Sequence, residues 1–140
     1  MDPTIWAKAH GATTHFPLAL ALSSVAFDAA GFALARKPIG NDLRAAGYWT
    51  MIAGAAGTMP AVLSGLLMTK GIVMGHDALR LHHMFVWPAF VLLVALGTWR
   101  LVQGRHASPR GLAAYLVLAG LAAGLMAVGA YWGGEMMIVR

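Results

Sequence analysis

Residues 75–90 read GHDALRLHHMFVWPAF, a run in which His76, His82 and His83 gather immediately before the chain becomes continuously apolar. Imidazole is polar at both ring nitrogens, uncharged over much of the physiological range and the commonest metal ligand. A cluster of imidazoles at the edge of an apolar span therefore marks a binding site. Working outward from this cluster, the apolar runs on either side set the fold.

Of the 140 residues, 59% are hydrophobic and 11% charged, and the mean hydropathy is +0.69. Soluble domains carry about 25% charged residues, so this is the composition of a membrane protein. Ten Lys and Arg against five Asp and Glu give a net charge of +5. Those cations are scattered singly over short connections, which argues for membrane topology and against a nucleic-acid surface. With no cysteine, disulfides, covalent c-type haem attachment, thiolate metal sites and cysteine nucleophiles are excluded.

The apolar runs predict an all-α, integral-membrane four-helix bundle, a single domain over residues 1–140 with helices at about 14–36, 48–69, 77–103 and 109–133. Residues 16–35 alone, at about 1.5 Å per residue, cross a hydrocarbon core of about 30 Å. Thr14 is placed as the cap of the first helix and Pro17 in its first turn, where the missing N–H costs nothing. Ala33-Leu34-Ala35 resembles a signal-peptidase site, but Asp28 interrupts the run and Arg36-Lys37 follow it, so the segment is expected to stay as a span. Pro60 is expected to kink the second helix.

Arg36, Lys37, Arg44, Arg100, Arg105 and Arg110 fall on the first and third connections. Lys8, Lys70, Arg80 and Arg140 fall on the other side. The bias puts the first and third connections in the cytoplasm and both termini on the periplasmic side of a bacterial inner membrane. Tyr48, Trp49, Trp99 and Tyr115 form one expected aromatic belt, and Phe16, Trp87, Tyr131 and Trp132 the other. His10, His15, His76, His82 and His83 then share the outer end, and His106 lies inside. Gly54, Gly57, Ala61 and Gly65, with Gly120-x-x-x-Gly124 and Gly129-x-x-x-Gly133, supply small surfaces for close helix approach.

A b-type haem needs two neutral imidazoles on facing helices at one depth. His15 and either His82 or His83 meet that requirement as axial iron ligands. Adjacent His82 and His83 point about 100° apart and take different roles. His76 and His83 return to nearly one face about 10 Å apart along a helix, which with His10 leaves room for a second, shallower haem. Lys70, Arg80 and Arg140 lie at the propionate end. Asp28 is placed facing the bundle, protonated or paired, about 19 Å beyond His15, with a proton path, a quinone pocket or an interhelical hydrogen bond as its readings. Glu135 follows Gly133-Gly134 near the histidine side, with orienting an imidazole, a proton or quinone role, or simple solvation as its readings. The competing chemistry is copper, since Met68, Met74, Met84, Met136 and Met137 combine thioether with imidazole. A cofactor-free assembly subunit is the third reading.

Thr14-His15-Phe16-Pro17, Asp28, the region 60–65, a histidine opening the third helix and Gly133-Gly134-Glu135 stand in an order that resembles a family of small bacterial four-helix membrane proteins of unknown function. That family is itself similar to membrane-bound b-type cytochromes. The resemblance implies His15 and His82 or His83 as ligands, and electron transfer between the quinone pool and a periplasmic c-type cytochrome or dehydrogenase. This is the part of an oxidoreductase subunit more than of a stand-alone enzyme.

Overall fold

The computed structural model describes residues 3–104 and 108–138. His106 and Arg105, assigned above to the inner face, and Arg140 lie outside the described residues. Four helices follow one another: α1 (Pro3–Ala33), α2 (Ile39–Met68), α3 (Asp77–Gln103) and α4 (Pro109–Ile138). All four contain stretches long and apolar enough to cross a membrane, and no strand occurs among the described residues.

Short connections make successive helices antiparallel. α1 packs most extensively on α2 and α3 on α4, while α2–α3 and α1–α4 close the ring. α1 and α3 therefore face each other across the bundle. The outside is as apolar as the inside: Phe16, Val91 and Val117 are largely exposed, as expected when the surrounding solvent is hydrocarbon.

The helix bounds differ from the sequence reading in an informative way. α1 starts at Pro3, a residue suited to a first helical position, and not at Thr14. Thr14 lies well inside the helix, where its hydroxyl donates to the Gly11 carbonyl at 3.2 Å. Pro17 is likewise interior and fully buried. α2 begins at Ile39, earlier than the apolar run at 48, and α4 continues through Gly133-Gly134 to Ile138. Polar residues and glycines in these added turns hid them from an apolar-run reading, and helix continues through them because packing outweighs weak local propensity.

The small residues divide sharply. On α2, Gly54 faces Leu20 and Ala21 of α1, Gly57 faces Pro17 and Gly65 faces His10, while Gly129 of α4 lies against Val86 of α3. A Cβ at Gly97 of α3 would come within 2.6 Å of the Ala55 Cβ on α2. Gly120 and Gly124 have nothing within 4 Å, so that pair is not a helix contact inside the bundle.

At the end of the bundle away from the histidines, Asp28 and Arg100 form a fully buried ion pair, with Arg100 Nη2 at 2.6 and 2.7 Å from the two carboxylate oxygens. Arg100 is thus not a loop charge, as the sequence suggested, but the interior partner that Asp28 required. The Ser24 hydroxyl donates to the Gly47 carbonyl at 2.8 Å and meets the Tyr115 hydroxyl at 3.0 Å. The guanidinium lies over the Tyr115 ring at 4.7 Å, and Tyr115 stacks on Trp99. Tyr115 is therefore an interior residue, not a member of an interfacial belt. Gly47 is required by this arrangement, since a Cβ there would stand 2.5 Å from the Asp28 carboxylate.

Removing one charge strands the other. Arg100→Leu is expected to cost about 3–5 kcal/mol, read by denaturant unfolding in detergent, and the Asp28→Leu/Arg100→Leu double variant to recover much of it. Gly97→Leu should destabilise by about 1–3 kcal/mol through overpacking, whereas Gly120→Leu should be neutral or stabilising.

Candidate functional site

The opposite end of the bundle holds a cavity of about 720 Å³ to which all four helices contribute. Its walls are mainly apolar, including Leu18, Val62, Val86, Phe90, Leu93 and Met126, and four of the chain's histidines line it: His10, His15, His82 and His83. This is the size and character of a site for a small organic ligand or cofactor, whose pockets run from about 300 to 1,000 Å³.

Two of these imidazoles are held in place by backbone. His10 of α1 directs Nδ1 at the Ala61 carbonyl of α2 at 2.9 Å, with the Ser64 hydroxyl at 3.3 Å. His82 of α3 directs Nδ1 at the Gly129 carbonyl of α4 at 2.7 Å. A carbonyl can only accept, so each Nδ1 carries the proton and each Nε2 is left as a lone-pair donor. Carbonyl oxygens that fix the tautomer and orientation of an imidazole in this manner are the usual outer shell of a metal-ligating histidine. The two ring centres are 6.3 Å apart, with planes at 81°.

Glycines make this approach feasible. A Cβ at Gly65 would come within 2.9 Å of the His10 ring, and one at Gly133 within 3.2 Å of His82. Thr13 and Ser64, joined at 3.2 Å, tie α1 to α2 at the level of His10.

His83, next along α3, points elsewhere, as the helical rotation requires. It is buried at 7% exposure, lies 6.1 Å from Trp87 centre to centre, and its Nδ1 is buried without a hydrogen-bond partner. An unsatisfied buried nitrogen costs roughly 1–3 kcal/mol and marks a position where a ligand group would be stabilising. Trp87 in turn donates from Nε1 to the Val73 carbonyl at 2.8 Å, pinning the α2–α3 connection to α3.

Among the residues expected to form the site, His82 and His83 line the cavity, while His15 lies on its wall as an exposed residue. His76 precedes α3 in extended conformation and is exposed, so the helical register that was to align it with His83 does not exist. Lys70 and Arg80 are exposed and outside the cavity lining, as is half-buried Glu135. Of the methionines, Met68 and Met136 line the cavity, whereas Met74 and Met84 point out to the surroundings, which breaks up the proposed thioether stripe. No group of three histidine or acidic side chains gathers as a ligand set for a bare ion among the described residues. His10 has only a secondary place in the sequence reading, because the apolar run sets the start of the first helix after it, whereas α1 begins at Pro3. The mixed residues 3–13 carry no apolar run that would show the helix reaching back to it.

No curated protein and no solved structure matches the chain. One family model, described as Predicted membrane protein (DUF2231), matches residues 8–140.

The hydrogen bonds of His10 and His82 require the Nδ1–H tautomer. Nitrogen-15 NMR of histidine-labelled protein in detergent micelles should show that tautomer for both rings, with the two signals assigned by His→Gln variants; an Nε2–H pattern for either would contradict the carbonyl contacts.

Proposed function

The chain belongs to that DUF2231 family of predicted membrane proteins, and from this premise we propose that it is a membrane electron-transfer subunit that holds haem b in the histidine-lined cavity. One observation carries the reading: imidazoles from α1 and α3, helices that face each other across the bundle, enter one apolar cavity. Two neutral imidazoles in an apolar slot are what a six-coordinate b-type haem needs.

The residues present fit that group. α1 offers His10 and His15, and α3 offers His82 and His83. The carbonyls of Ala61 and Gly129 orient two of the four rings. Val86, Phe90, Leu93 and Met126 line the cavity and would supply apolar faces for a macrocycle, lowering the local polarity around a bound iron. Bound haem supplies reversible one-electron transfer at its iron, and the protein's part is to set the ligands, the dielectric and the access.

The position of the cavity supports a place for the chain in a larger path. Within the bundle it lies at the end that carries the start of α1, the end of α4 and the α2–α3 connection, and Arg36 and Lys37 of the α1–α2 connection, with Arg44 in the first turns of α2, lie at the other end. By the positive-inside bias the cavity faces the periplasmic side of a cytoplasmic membrane. Placed there, the site exchanges electrons between the quinone pool and a periplasmic redox partner, a c-type cytochrome or a dehydrogenase subunit.

Absorption spectroscopy tests this directly. Protein purified in detergent, as isolated and after reconstitution with hemin, should show a Soret band that shifts on dithionite reduction with sharp reduced α and β bands. A preparation that remains without a Soret band after hemin treatment would remove the haem reading.

A further inference from the structure

Four histidines line the cavity, but one iron takes two, and the geometry points to a specific pair: we propose that His10 of α1 and His82 of α3 are the axial ligands, with His15 and His83 outside the coordination sphere. The inference rests on the haem reading above and goes beyond it by assigning the ligand atoms, Nε2 of each ring.

Three independent features single out this pair. The first is orientation. His10 and His82 both have Nδ1 engaged by a helix carbonyl, at 2.9 and 2.7 Å, so each ring is locked with Nε2 as its available lone pair. His83 lacks any partner at Nδ1, and among the described residues no hydrogen bond orients the exposed His15, so neither has the outer shell that makes an imidazole a stronger and better-placed ligand.

The second feature is separation. Two imidazoles bound to one metal on opposite sides stand about 6 Å apart centre to centre, given metal–nitrogen bonds of about 2.0–2.1 Å. The His10 and His82 rings are 6.3 Å apart. His82 and His83 are close as well, at 5.6 Å, but as neighbours on one helix they diverge and cannot approach an iron from opposite faces.

The third feature is the pair of glycines. Gly65 and Gly133 lie against the His10 and His82 rings, and no larger residue fits at the first without displacing the imidazole. α2 and α4 thus each contribute one carbonyl and one glycine to one ring, Ala61 with Gly65 and Gly129 with Gly133. This repeated arrangement serves the two ligands and no other histidine of the cavity.

The rings lie at 81° to each other. If that angle is kept on binding, the ferric protein belongs to the low-spin class with near-perpendicular imidazoles, which gives a strongly anisotropic electron paramagnetic resonance signal in place of the rhombic signal of parallel rings.

The test compares single variants of the full chain reconstituted with hemin, read by the low-spin absorption spectrum and haem-to-protein ratio. His10→Ala and His82→Ala should each abolish the six-coordinate low-spin spectrum, and His15→Ala and His83→Ala should retain it. Because an alanine variant can fail to assemble, His10→Met and His82→Met form the second arm: each should keep haem, acquire the near-infrared thioether-to-iron band and move to a higher midpoint potential, the known direction for Met/His ligation. A low-spin spectrum that survives His10→Ala or is lost in His15→Ala overturns the ligand pair while leaving haem binding intact. Wild-type protein that takes up no hemin overturns the haem reading itself, and the pair with it.

Discussion

A polar group inside a lipid-embedded bundle has no water to fall back on, and this constraint governs both ends of the molecule. At one end it is met internally. The charges of Asp28 and Arg100, both completely buried, neutralise each other, and Ser24, Tyr115 and the Gly47 carbonyl form a hydrogen-bonded chain beside the carboxylate, while Arg100 Nε has no hydrogen-bond partner. At the other end it is met only in part. His10 and His82 find helix carbonyls at Nδ1, while the buried Nδ1 of His83 finds none. The contrast is informative because the two clusters experience the same solvent. The ion-paired cluster fastens the helices together, and the histidine cluster borders an open cavity.

The two ends also depend on each other mechanically. The ion pair joins α1 to α3, the two helices that face each other across the bundle rather than pack side by side. With their far ends fastened, the same two helices present His10 and His82 to one another at the near end. Direct α1–α3 packing along the full length would leave no space between the rings. Without the ion pair, the spacing of the rings would rest on the flanking contacts of α2 and α4 alone. In a bundle where hydrophobic burial does not distinguish a lipid from a neighbouring helix, a specific polar contact of this kind fixes the register of the helices.

How much of this was legible in the sequence depended on which signal carried it. Four apolar runs announced four spans, and Asp28 within one of them announced a buried partner. That the partner is Arg100 could not be read, because an arginine at the end of an apolar run has two readings. It either snorkels to the interface or turns inward, and only the packing of Tyr115 and Gly47 around the carboxylate decides between them. The helix starts were misplaced for a related reason. Residues 3–13 are mixed in character, so hydropathy ended the helix where the backbone does not. The consequence reached the site: with α1 taken to begin at Thr14, the level of His82 was assigned to His15, whereas the longer helix brings His10 to that level.

The glycines show why spacing motifs alone do not identify a contact. Gly120-x-x-x-Gly124 and Gly129-x-x-x-Gly133 have the same spacing on the same helix, yet the first faces open surroundings and the second lies against Val86 and His82 of α3. Spacing establishes that two positions share a helix face, while rotation of the helix decides what that face meets. On α4 the rotation is set by Leu112, Tyr115, Ala119 and Ala122, which are buried in the core. Tyr115 is committed to the Ser24 hydroxyl. The polar cluster at one end thereby fixes the rotation that turns Gly129 and Gly133 toward His82 at the other, so the shape of the cavity follows from the charges that α1 and α3 bury at the opposite end.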